Sequence, residues 1–303
     1  MKRFPDNARV CFVGDSITAA FNYVARVADY YLEKFPDAHV RFFNSGVAGG
    51  TARSQRIFLA DDTLCHKPTH AVIMVGVNDS ARWVMGNSRS AENYAFLVSC
   101  YEAYKKNLAD LCDELEKNGV EITLCTPVPY AEYQPVGQEP FHGGYALIAG
   151  YADFCRTLAA QRGYPLCDYH SYVTQKLQTE NLYNDDRIHP NDKGHHYMAE
   201  CFLKLQGLEM GEFCDIPKKY DELRRVSMVV RDIFAVELMV IGDLNYGWSI
   251  EQKTECVKKY IDEGKAPTDY FKRITEDYLK YKPLQDKYAD LTEQLTEELM
   301  GQG

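Results

Sequence analysis

The sequence predicts an α/β protein: a three-layer α/β/α sandwich around a mostly parallel five-stranded sheet, followed by an all-helical C-terminal extension. Three observations carry that reading. Short apolar runs recur with helical stretches between them, as parallel strands covered on both faces require. Several of these runs end in small polar or glycine-rich clusters. Beyond Gly207 the strand-like runs stop, and helical patterns continue to the end of the chain.

Taken in order, the expected strands are RVCFV (9–13), HVRFF (39–43), HAVIMVG (70–76), VEITLC (120–125) and the shorter YPLCDY (164–169). Helices are expected over FNYVARVADYYLEKF, TARSQRIFLADD, the long stretch from Ala91 to Gly119, YALIAGYADFCRTLAAQRG and DKGHHYMAECFLKLQG. The long stretch ends in Lys117, Asn118 and Gly119, a C-terminal signal in which glycine supplies the left-handed residue. Strand alternating with helix implies right-handed crossovers and a sheet sandwiched between two helical layers. In such sheets ligands bind at the carboxyl ends of the strands.

The expected division is a domain over 1–207 and a helical extension over 208–303 that packs on the core or on another subunit, which leaves room for a homo-oligomer. In the extension, Ser249 and Gln252 form a capping box and Thr268 can cap a further helix. Leu284, Tyr288, Leu291, Leu295 and Leu299 form a stripe at helical spacing that needs burial. The extension holds 20 acidic and 14 basic residues, more than half of the net charge of −10.

That negative charge argues against a nucleic-acid partner, since no basic stripe is available to neutralise phosphates. The most apolar late stretch, VSMVVRDIFAVELMVIG, carries Arg231, Asp232 and Glu237, too many charges for a membrane span. MKRFPDNARV has neither an apolar core nor a small-residue cleavage site, so the expectation is a cytoplasmic protein. Its ten cysteines, with no C-x-x-C pair, then read as reduced thiols, not as disulfides or a zinc site.

Four stretches at or near strand ends carry polar chemistry: Gly14-Asp15-Ser16, NSGVAGGTA (44–52), VGVNDS (75–80) and DDRIHPNDKGHH (185–196). A serine hydroxyl is a weak nucleophile until a base takes its proton, and histidine is the usual base near neutral pH. Asp186 and His189 lie on one short turn ahead of Pro190, where a carboxylate can fix the tautomer of an imidazole whose other nitrogen faces Ser16. A glycine-rich loop and an asparagine amide supply donors for a tetrahedral oxyanion, a task suited to Gly49, Asn78 and the Ser16 N–H. Each piece also has a plain structural reading: Ser16 as an N-cap, Gly49 in a turn, Asn78 in an Asx-turn, Asp186 and His189 as a surface ion pair. Asp15 reads as structural, holding the nucleophile turn.

Together the four stretches resemble the SGNH, or GDSL-type, esterase and acylhydrolase family, in the family's order and over about two-thirds of the chain. The resemblance implies a three-layer α/β/α sandwich, Ser16 as nucleophile, Gly49 and Asn78 as oxyanion donors with the Ser16 N–H, and Asp186 and His189 as the rest of the triad. The expectation for such a site is no metal and no organic cofactor. Where the family often has Asp after the loop glycine, this chain has Gly50.

The expected function is therefore a serine esterase acting on an O-acyl ester, with a short acyl group on a carbohydrate or another small polar alcohol. Arg82 and Trp83, just past Asn78, are candidate substrate contacts. The long loop TPVPYAEYQPVGQEPFHGGY (126–145) adds Tyr130, Tyr133, Phe141 and His142 as candidate pocket-wall residues. Two rivals stand beside this reading. One is a metal-dependent phosphoesterase using Asp15, Asp79, Asp186, His189 and His195 or His196. The other is a binding or scaffolding protein that acts through its helical tail.

Overall fold

In the computed structural model, which describes residues 1–86 and 90–301, five strands form one sheet. They are β1 (Arg9–Gly14), β2 (Arg41–Gly46), β3 (His70–Met74), β4 (Glu121–Cys125) and β5 (Leu166–Cys167). All are parallel, in the order β2-β1-β3-β4-β5. The helices of the sandwich are α1 (Ser16–Ala19), α2 (Asn22–Lys34), α3 (Ala52–Ile57), α4 (Ala91–Lys117), α5 (Gly144–Arg162), α6 (Tyr169–Lys176) and α7 (Asp192–Leu205).

Alternation along the strands divides the core into two layers. Val10 and Phe12 of β1, Phe42 of β2 and Val72 and Met74 of β3 face the layer built on α2 and α7. Cys11, Val13, Phe43, Ala71 and Ile73 face the layer built on α4 and α5. Both faces are covered, which is why these strands read as continuous apolar runs.

Two expectations need adjusting. β2 is shifted toward the C-terminus, so Asn44, Ser45 and Gly46 pair with β1 and do not form a loop. The run 164–169 is a two-residue strand, and Tyr169 opens α6, which the sequence reading does not include. There Asp168 accepts from the Ser171 N–H at 3.1 Å, and this cap turns the chain into a helix as soon as pairing with β4 ends.

The C-terminal region is helical: α8 (Asp221–Val236), α9 (Ile250–Asp262), α10 (Asp269–Tyr281) and α11 (Gln285–Met300), with one π-turn, Glu237–Ile241, after α8. Ser249 and Gln252 form their capping box, and Thr268 caps α10. α11 lies along α8 and the edge strand β2. Its acidic residues reach the sheet: Arg9 pairs with Glu293 and Glu297, Arg41 with Glu297, and His66 with Glu293. Leu295 and Leu299 of the stripe pack on the core, whereas Leu284 precedes the helix and is exposed. Among the described residues no helix is long and apolar enough to cross a membrane.

Candidate active site

The strand order reverses direction between β1 and β3, and in open parallel sheets that switch point leaves a crevice at the strands' carboxyl ends. Ser16 sits there, two residues past the end of β1. Asp15 has extended backbone and caps α1, its Oδ1 accepting the Ile17 N–H at 2.9 Å. The turn is tied to the neighbouring strand by Asn44, whose Nδ2 donates to the Ala19 carbonyl at 3.0 Å and whose Oδ1 accepts the Gly46 N–H at 3.0 Å. As the first residue of α1, Ser16 presents an N–H with no intrahelical acceptor.

The Asp186–Pro190 segment comes to this point from the far end of the chain. Arg187 has a left-handed backbone (φ 65°), and the Asn184 N–H donates to the His189 carbonyl at 2.9 Å, closing a tight loop. His189 Nε2 lies 2.7 Å from Ser16 Oγ, and its Nδ1 lies 2.6 Å from Asp186 Oδ2. The second oxygen, Asp186 Oδ1, accepts the N–H groups of Ile188 and His189, each at 2.9 Å. An imidazole thus contacts a hydroxyl, and a carboxylate holds the imidazole.

The electrostatics agree with that division. Burial alone would push the Asp186 carboxyl up, but the His189 hydrogen bond and two backbone N–H groups bring it down to about 2. For His189, burial pulls the imidazole down, yet the hydrogen bond and charge of Asp186 and the charge of Asp15 outweigh it, so its pKa is raised. Behind the serine, burial raises Asp15 to about 6 and Asp79 to about 7. Asp79 accepts the Ala52 N–H at 3.0 Å, so this carboxyl joins the Asn78 turn to the start of α3.

The glycine-rich loop follows β2. Gly49 has φ 79°, a conformation in which a side chain is strained. The Asn78 amide donates to the Gly50 carbonyl at 3.0 Å, so the asparagine and the glycine loop position each other. A Cβ on Gly50 would stand 2.7 Å from the Val47 carbonyl oxygen and 2.9 Å from Gln55 Nε2. The loop is anchored here by Gln55, whose amide donates to the Gly14 carbonyl at 2.6 Å, and by the Gly50 N–H on Val47 at 2.8 Å. No carboxylate is needed at position 50, nor is there room for one.

The remaining candidates fall in three places. Arg82 is half-buried, donates to the Val77 carbonyl at 3.0 Å, and is close enough to Asp15, Asp186 and His189 for their charges to interact. Trp83 is half exposed. Within the long loop, Tyr130 is buried, with its hydroxyl taking the Phe141 N–H at 2.9 Å and its ring stacked on Phe141, so both support the loop from inside. Tyr133 is 80% exposed, and His142 lies outside beside Glu132 at 3.7 Å. The rival metal site is not assembled. Both His189 nitrogens are engaged, His195 is buried against Tyr23 with its imidazole pushed down to about 3, and His196 meets the Phe213 ring edge-on. Among the described residues no three His, Cys, Asp or Glu side chains are grouped to hold an ion.

Sequence reasoning missed Arg187. It lies inside the Asp186–His189 stretch, is buried, and donates to the carbonyls of Ala131, Glu132, Gln134, Val136 and Gln138. Its position within the motif was the available signal, but its five acceptors are backbone atoms that no side-chain pattern reveals.

The family described as GDSL-like Lipase/Acylhydrolase matches residues 12–197. The chain belongs to that family. As a GDSL-type enzyme it is a carboxylic ester hydrolase. An acetylxylan esterase of Geobacillus stearothermophilus is 26% identical over 220 residues, 66% of this chain and 94% of that protein. An acetylxylan esterase of Xylanibacter ruminicola is 27% identical over 64% of this chain and 42% of its own length. In fold, the GDSL-type chain is similar to a crystal structure of the Geobacillus esterase, with a TM-score of 0.58 and 23% identity over 71% of this chain and all of that one. A gut microbial diltiazem-metabolizing enzyme has a TM-score of 0.76 at 17% identity, with 99% of this chain and 96% of that chain covered. The C-terminal helices are therefore part of a fold that recurs.

Proposed function

We propose that this GDSL-type esterase hydrolyses O-acyl esters through a Ser16–His189–Asp186 triad and an acyl-enzyme, with short acyl groups, acetyl first among them, on a carbohydrate or similar small polar alcohol. The observation that carries the reading is the unbroken line of contacts from Asp186 Oδ2 through His189 to Ser16 Oγ, at 2.6 and 2.7 Å. His189 takes the Ser16 proton as the hydroxyl attacks the ester carbonyl. The oxyanion is met by the N–H groups of Ser16 and Gly49 and the Asn78 amide, fixed before the substrate arrives. His189 then gives the proton to the departing alkoxide, and in the second half it activates water against the acyl-serine. The acetyl and carbohydrate preferences draw support from the acetylxylan esterases among its relatives.

The test uses p-nitrophenyl acetate and acetylated xylo-oligosaccharides with wild type and Ser16→Ala. Ser16→Ala is expected to lose about 10³-fold or more in kcat. A fluorophosphonate probe should add one adduct, located on Ser16 by mass spectrometry. Activity retained in Ser16→Ala, or an adduct elsewhere, would overturn the triad.

A further inference from the structure

The donor loop is not free-standing; the C-terminal region holds it from outside. Arg231 of α8 donates to the Gly46 carbonyl at 3.3 Å and pairs with Asp62, both side chains almost wholly buried. Val47 lies in the same apolar cluster as Ile233, Phe234 and Val236. One turn further on, the Met239 side chain lies against Gly49: its Cε, Sδ and Cγ are 3.5, 3.6 and 3.7 Å from where a Gly49 Cβ would stand. Met239 is nonetheless 44% exposed, so it covers one side of the donor glycine and leaves the other face of its thioether open.

The turn that carries Met239 is rigidly held. Two residues before it, Glu237 is buried and paired with Lys253 at 2.8 Å and Lys282 at 2.5 Å, which joins the π-turn to α9 and to the segment after α10. π-turns inserted in helices recur at functional sites. Unbranched methionine fills a surface that must accept small changes in shape.

Which half of an ester meets Met239 follows from the base. His189 must reach the leaving oxygen, and Arg187 ties its segment to the 131–138 loop that follows β4. The alcohol therefore lies on the β4 side of Ser16. Gly49 follows β2, on the opposite side of β1 from β4, and Met239 stands against it there.

We infer that the C-terminal region completes the acyl side of the site, and that Met239 is the residue that sets acyl length. The inference rests on the esterase reading above. In a hydrophobic pocket each methylene is worth roughly 10- to 200-fold in selectivity.

The experiment compares wild type, Met239→Ala and Met239→Trp on p-nitrophenyl acetate, butyrate and hexanoate, with Ser16→Ala as the control and circular dichroism and melting curves as the check on folding. Met239→Ala should raise the hexanoate-to-acetate ratio of kcat/KM by about 10-fold or more. Met239→Trp should lower the butyrate-to-acetate ratio. Selectivity among acetates of alcohols of different size should stay unchanged in both. Acyl ratios within twofold of wild type in both folded variants, or a change in alcohol selectivity in place of acyl selectivity, would overturn the inference while leaving Ser16-dependent hydrolysis intact. If Ser16→Ala matched wild type on acetate, the esterase reading itself would fall, and this inference with it.

Discussion

At the scale of single residues, Asp186 divides its two oxygens between two tasks. Oδ1 fixes the backbone of its own loop through the Ile188 and His189 N–H groups, and Oδ2 faces the imidazole. In the proposed mechanism the base is neutral imidazole, and the carboxylate favours the protonated form against the opposing effect of burial, so the net shift is upward. More alkali is then needed to free the base. The acidic limb of kcat/KM should therefore fall above the ordinary histidine value of about 6.5, with activity rising as pH rises through it. Asp186→Asn keeps the shape but removes the charge. It should move that limb down and reduce kcat by about 10³- to 10⁴-fold, which a pH–rate series on p-nitrophenyl acetate would read.

At the scale of elements, the long loop after β4 has almost no regular structure, yet its carbonyls converge on one guanidinium. Arg187 suits this task because its planar group carries five N–H donors in a fixed fork, whereas a lysine is a compact point charge. Glu132 in turn takes the Gly143 and Tyr145 N–H groups at 2.8 and 3.0 Å, so the same loop caps α5. Arg187→Lys should leave several buried carbonyls without a donor and cost about 2–4 kcal/mol, measurable by urea unfolding. Faster amide hydrogen exchange confined to 131–138 and the 184–189 turn would place the damage. Exchange unchanged there would show that the clasp does not hold the loop.

At the scale of the whole molecule, the sheet and the C-terminal helices share buried groups across their boundary. The Arg231–Asp62 pair is the most enclosed of these, and Val47 and Phe58 from the sandwich lie in one apolar cluster with α8 and α10. Breaking a buried pair strands its partner's charge, which costs about 3–5 kcal/mol. Arg231→Met should therefore destabilise the protein by about that amount, and Asp62→Leu added to it should recover much of the loss. Because the cluster spans both parts, denaturant unfolding of wild type should follow a single transition by near- and far-ultraviolet circular dichroism. Separate transitions would show that the C-terminal helices fold on their own.

The fold class was legible because burial on both faces writes itself into a parallel strand as an unbroken apolar run, as in RVCFV and HAVIMVG. The four polar stretches were legible because side-chain chemistry at strand ends needs particular residue types at short spacing. Ser16, Gly49, Asn78, Asp186 and His189 could be named as candidates that way, before any distance was known. α6 was not legible, since YPLCDY is apolar enough for a strand and its brevity comes from how far β4 runs beside it. Nor were Arg187, Arg231 and Met239, whose partners are carbonyls, a distant carboxylate and a bare glycine Cα. Sequence determined which groups the chain carries and the period at which each element buries its apolar face. Only the tertiary structure decided which distant groups meet, because those contacts depend on backbone atoms and packing distances that leave no periodic trace along the chain.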